Sequence, residues 1–100
     1  MKGAVRVLVY HDTTDEAAIR AAYREASGTL AGVPGLLGNE LLRGTHHPEK
    51  FVVASYWSSV AAFQRWETGV DHKDSTAPLR PFRDTSLALP FGIYQVDDSY

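Results

Sequence analysis

The stretch Trp57-Ser58-Ser59-Val60-Ala61-Ala62-Phe63-Gln64-Arg65-Trp66-Glu67 constrains the fold of this chain more than any other. An apolar strand, 51–57, runs straight into Ser58-Ser59, and a helical pattern begins there. A serine hydroxyl accepts a hydrogen bond from an otherwise orphaned amide of the first helical turn, so this pair marks a helix start. Val60, Phe63, Trp66 and Val70 then recur at the spacing of one helix face. The two tryptophans of the chain flank this β-to-α unit, which places large flat rings near one strand end.

The flanking sequence completes the pattern. Residues 3–10 read as a strand rich in β-branched side chains. His11-Asp12-Thr13-Thr14-Asp15 reads as a polar link with helix-capping chemistry, and Asp15 and Glu16 sit where a helix N-terminus favours negative charge. Ile19, Ala22, Tyr23, Ala26 and Leu30 form the apolar stripe of a first helix over 15–31, which Gly32-Val33-Pro34-Gly35 stops. A second strand covers 36–44, a turn covers 45–50, and a second helix covers 59–69. Pro78 and Pro81 break 71–85 into short helical turns and loop, and 87–96 form the last strand, with Pro90 at an edge or bulge.

The resulting βαββαβ order predicts an α+β, ferredoxin-like single domain over 1–100, with both helices on one face of a four-stranded antiparallel sheet. Strand one presents Val5, Val7 and Val9 to one face and Ala4, Leu8 and Tyr10 to the other. Strand three presents Phe51, Val53 and Trp57 opposite Val52, Ala54 and Tyr56. Two helices cover one face only, and an apolar sheet face is too large to leave in water. The expectation is a homodimer with sheets packed face to face. The alternative is a monomer with a partly wet aromatic face.

Composition excludes several function classes. A net charge of −2 with no basic stripe argues against nucleic acid as a partner. The absence of cysteine removes disulfides, thiolate nucleophiles and zinc–thiolate sites. No apolar run approaches the roughly 20 residues of a membrane helix, and the N-terminal residues carry no signal-peptide pattern. A cytoplasmic protein with no membrane partner is expected. His46-His47 lie in a turn with no third ligand set by spacing, so no metal site is expected.

With the βαββαβ order, the Trp57-Ser58-Ser59-x-x-x-Phe63-x-x-Trp66 junction, His72 and Leu79-Arg80-Pro81, the chain resembles the antibiotic biosynthesis monooxygenase domain family, small dimeric α+β barrels. The resemblance runs from about residue 3 to residue 96. Some members of that family oxidise polyketide anthrones to quinones with O2 and no cofactor, and others open haem. By that resemblance Trp57 corresponds to the strand-three tryptophan of the quinone-forming members. Val53 stands where they carry asparagine, Phe63 where they carry tyrosine, and Arg80 is the candidate for their helix-two arginine. Trp66 and His72 resemble the tryptophan and histidine of the haem-opening branch, whose strand-one asparagine has no counterpart in 3–10.

The resemblance implies a cavity between sheet and helices near Trp57, Trp66 and His72. His72 is cast as base or proton shuttle, since imidazole titrates near neutral pH; its other reading is a solvent-facing residue in a charged loop. Trp57 and Trp66 would wall a flat guest, or pack the core. Arg80 and Arg83 flank Pro81-Phe82, and a guanidinium beside a cavity holds a phenolate or enolate. Arg80 is the one assigned that role. Phe63, Tyr56 and Asn39 complete the expected substrate-binding set. The leading expectation is a cofactor-independent monooxygenase acting on a small aromatic or polyketide-type substrate, with O2 as co-substrate. The alternatives are a polyketide cyclase or isomerase on the same scaffold, and a non-catalytic ligand-binding barrel.

Overall fold

The computed structural model describes residues 2–69 and 75–100. Its helices begin where side chains satisfy orphaned amides. Asp15 Oδ1 accepts from the amide of Ala18 at 3.0 Å, and Ser59 Oγ accepts from the amide of Ala62 at 3.1 Å. The elements are β1 (Val5–Asp12), α1 (Glu16–Gly28), β2 (Leu36–Arg43), β3 (Lys50–Trp57), α2 (Val60–Glu67), a 3₁₀ turn (Ala77–Phe82) and β4 (Phe91–Gln95). The strands form one sheet in the order β2-β3-β1-β4, each pair antiparallel. This is the expected ferredoxin-like α+β architecture.

Boundaries differ from the sequence reading most at three elements. α1, expected to reach residue 31, ends at Gly28, and the Thr29 amide donates to the Ala26 carbonyl at 3.2 Å. β1 runs on to Asp12, because β3 begins at Lys50 and continues the ladder through His11↔Phe51 and Asp12↔Lys50. Lys50 Nζ bonds Asp12 Oδ2 at 2.6 Å, which secures that end. β4 is shorter than expected and starts after Pro90, which has no N–H to give; its carbonyl accepts from the amide of Tyr10 at 2.8 Å. Residues 84–86 instead form a turn in which Ser86 donates to Asp84 Oδ1 through its amide at 3.0 Å and its hydroxyl at 2.5 Å.

The register sorts the side chains into two faces. On the inner face Leu36, Trp57, Val5 and Gln95 lie in one row; Asn39, Ser55, Val7 and Ile93 in the next. Leu41, Val53, Val9 and Phe91 follow, and then Arg43, Phe51 and His11. The helices cover this face in two packed groups. Val5, Val7, Trp57, Ala62 and Phe63 bury together beneath α2. Ile19, Ala22, Ala26, Phe51 and Leu79 bury together beneath α1 and the 3₁₀ turn. Each ring buried this way contributes about 2–3 kcal/mol.

Gly35 lets β2 enter beneath α2. It adopts φ +83°, and a Cβ there would stand 2.4 Å from that of Ala62. Its carbonyl accepts from the amide of Ser58 at 2.8 Å, tying the start of β2 to the β3–α2 junction. On the outer face Arg6 lies over the Tyr56 ring at 4.9 Å, and the Tyr56 hydroxyl bonds Glu40. Leu8, Tyr10 and Val52 are half-buried there, and Leu42 and Tyr94 are exposed.

Candidate functional site

Between the two packed groups the inner sheet face and the helices leave a partly open cavity of about 210 Å³. Val7, Val9 and Val53 supply its floor. Their alternation along β1 and β3 puts them there, because successive strand side chains point to opposite faces.

One end is aromatic. Trp57 comes from the last position of β3; Phe63 and Trp66 come from successive turns of α2, and all three line the cavity. Trp57 meets Phe63 edge-on, with centroids 5.5 Å apart and planes at 71°, and Trp66 at 5.4 Å and 34°. These are the offset geometries that ring quadrupoles favour. Trp57 is 1% exposed, and its Nε1–H donates to Ser55 Oγ at 2.9 Å. Asn39, facing Ser55 across the β2–β3 ladder, accepts at Oδ1 from the hydroxyls of Tyr23 at 2.5 Å and Ser27 at 3.0 Å. Glu67, the acidic residue after Trp66, also borders the cavity.

The other end is polar. The cavity wall there includes His11, Ser75, Thr76 and Arg83. Val5, paired with Trp57, and His11 are separated along β1 by roughly 20 Å. His11 is 1% exposed, and burial pushes its imidazole down to about 4; the Arg83 charge pushes the same way, and the nearby Val9 backbone opposes in part. The ring is therefore neutral at physiological pH. His11 Nδ1 and Arg83 Nε are both buried without a hydrogen-bond partner. Arg83 is held by its main chain, which forms a β-bridge with His11. The next residue, Asp84, donates its amide to the Tyr10 carbonyl at 3.0 Å. Hydrogen bonds from Ser86, and then from Lys50, hold the Asp84 carboxyl below the usual range. Bonds to Asp12 and Asp84 raise the Lys50 ammonium.

Of the residues expected at the site, Trp57, Trp66, Phe63 and Asn39 are brought together around the cavity. Tyr56 points to the opposite sheet face, because it neighbours the inward Trp57 on a strand. Arg80 is exposed and outside the cavity lining; its Nη2 donates to Oγ1 of the lining residue Thr76 at 3.3 Å. Arg83, three residues on, is the arginine on the wall. His72 lies outside the described residues. His11 escaped the sequence reading because it was assigned to a polar link; the signal that finds it is the period-two series Val5, Val7, Val9, His11. Among the described residues no group of three His, Cys, Asp or Glu side chains is placed to hold a metal, and no helix is long and apolar enough to cross a membrane.

Known proteins share this architecture. SnoaB of Streptomyces nogalater, described as a cofactor-independent oxygenase, superposes with a TM-score of 0.75 at 17% identity, over 96% of this chain and 94% of that one. An antibiotic biosynthesis monooxygenase homologue of Bordetella bronchiseptica superposes with a TM-score of 0.75 at 14% identity, over 99% and 100%. In sequence the chain is 30% identical over 80 residues to protein SchA of Streptomyces halstedii. It is 31% identical over 96 residues to a 42.8 kDa protein of the whiE locus of Streptomyces coelicolor. These alignments take in 78% and 94% of this chain but only 21% and 24% of the relatives, so it spans about a quarter or less of their length. The sequence profile described as antibiotic biosynthesis monooxygenase matches residues 4–77, and with the fold and the β3–α2 junction in agreement, the chain belongs to that family.

Proposed function

We propose that this protein is a small cofactor-independent monooxygenase that oxidises an aromatic or polyketide-type substrate with O2. The observation that carries the reading is the partly open cavity walled by Trp57, Phe63 and Trp66 over a valine floor. Such a space excludes water and stacks a flat ring system. Chemistry of this kind asks little more of a protein. A base removes an acidic C–H or phenolic proton, the anion passes one electron to O2, and the radical pair recombines as a peroxide. Loss of water from that peroxide leaves one oxygen atom as a new ketone, so the substrate supplies all four electrons that O2 takes up. In this scheme His72, which follows α2, is the base or shuttle, Trp57 is the ring wall, and Arg80 acts on the cavity through Thr76.

Oxygen uptake with anthrone as probe tests the scheme. Oxygen-dependent quinone formation is expected. A rate unchanged under strict anaerobiosis would assign the cavity to cyclisation or isomerisation instead. A second reading, a barrel that binds without turnover, draws on the fact that Trp57 Nε1 and Asn39 Oδ1 are already engaged within the protein. In that case His72→Ala leaves the biological output intact.

The working unit in this proposal is a homodimer. The outer face around Leu8, Val52, Leu42 and Tyr94 is apolar, and among the described residues no helix lies over it. A second copy of the same face is the self-complementary cover. Sedimentation at micromolar concentration is expected to give a dimer, and Val52→Lys to give a monomer that retains its secondary structure.

A further inference from the structure

The polar end of the cavity is unfinished. Buried polar atoms in folded proteins are nearly always hydrogen-bonded, and each exception asks for an explanation. Here two exceptions, His11 Nδ1 and Arg83 Nε, belong to residues that line the same cavity. Their backbones are bridged, so the two side chains are held beside each other rather than drifting on a loop. Among the described residues no carboxylate pairs with Arg83, and its neighbour Asp84 is turned to Lys50 at 3.1 Å and to Ser86. Among the described residues the Arg83 charge thus has no carboxylate partner, and a neutral imidazole lies next to it.

We propose that His11 and Arg83 form an anion-binding end of the cavity that takes a carboxylate carried on an aromatic ring system. Both atoms are covered in the empty cavity, so binding turns the two side chains toward the guest: one carboxylate oxygen then accepts from Arg83 Nε–H and the other from His11 in its Nδ1–H tautomer. Two separate donors match two oxygens, which favours a carboxylate over the single oxygen of a phenolate. The rings then extend along the valine floor toward Trp57 and Trp66, and Glu67, beside Trp66, disfavours the reverse orientation. The role is one of binding and orientation, and it rests on the reading of the cavity as a site for aromatic ligands.

Isothermal titration with 2-naphthoate and its neutral counterpart 2-acetylnaphthalene separates the two ideas. The expected result is that the acid binds about tenfold or more tightly than the ketone, as a charge-assisted pair implies. Arg83→Gln is expected to erase that preference while leaving ketone affinity within about twofold, and Arg24→Gln, at an exposed position of α1, to preserve it. Equal binding of the two ligands to the unmodified protein would overturn the anion site and leave the aromatic cavity standing. Failure of both to bind would overturn the two together. The comparison on the unmodified protein stands even if Arg83→Gln fails to fold, and Arg83→Lys, which keeps the charge but loses Nε–H, is then expected to weaken the preference.

Discussion

The two ends of the cavity are built differently. At the aromatic end, among the described residues, no buried side-chain polar atom is left over: Ser55 accepts from the Trp57 N–H, and the hydroxyls of Tyr23 and Ser27 donate to the Asn39 oxygen. At the polar end two buried nitrogens of cavity-lining residues have no partner. An end that is satisfied from within contributes chiefly to stability. An end left open at the protein's own cost is maintained for something that arrives later.

The largest effect that would break this contrast is expected at Trp57. Trp57→Ala removes a ring buried against Phe63 and Trp66 and is expected to lower unfolding free energy by about 4 kcal/mol, measured by urea denaturation. A loss below about 1 kcal/mol would mean the aromatic wall is not part of the core. Gly35→Ala strains a positive-φ position and drives a methyl into Ala62, and is expected to cost about 2 kcal/mol in the same assay.

The polar end predicts a pH dependence. The folded imidazole of His11 titrates near 4, whereas the unfolded chain takes up its proton at the ordinary value of 6.5. Its contribution is thus fully present above pH 6.5 and is lost as the pH falls toward 4. A loss of order 2 kcal/mol is expected across that window. The depressed Asp84 carboxyl acts in the same direction, but from the ordinary carboxylate value downward. The smallest effect is His11→Leu. At pH 7 it is expected to change stability by less than about 1 kcal/mol, since it removes an unsatisfied polar atom. It is also expected to flatten the slope between pH 6.5 and 4. A strongly destabilised His11→Leu protein would mean that the polar end, too, belongs to the structural core.

The sequence carried the architecture because its signals are local and redundant. Asp15 and Ser59 cap the helices they were expected to cap, and the alternation along β1 and β3 sorted the inner face from the outer. That same alternation already set Tyr56 opposite Trp57, and the structure keeps them apart. What the sequence hid depends on pairing between distant segments. β1 reaches His11 only because Lys50 lies across from Asp12, a partner dozens of residues away. The choice between Arg80 and Arg83 depends on how the 3₁₀ turn ends: the main chain leaves it at Arg83 to bridge His11, while Arg80 remains in solvent.

The bridge between His11 and Arg83 has a mechanical consequence. The segment leaving the 3₁₀ turn is stitched to β1 beside Arg83, where the Asp84 amide donates to the Tyr10 carbonyl. Any load placed on the guanidinium is therefore shared with the middle of the sheet. Slowed amide exchange on occupancy is expected to reach beyond the loop into Tyr10 and His11, as a stiffening of the backbone rather than a movement of it.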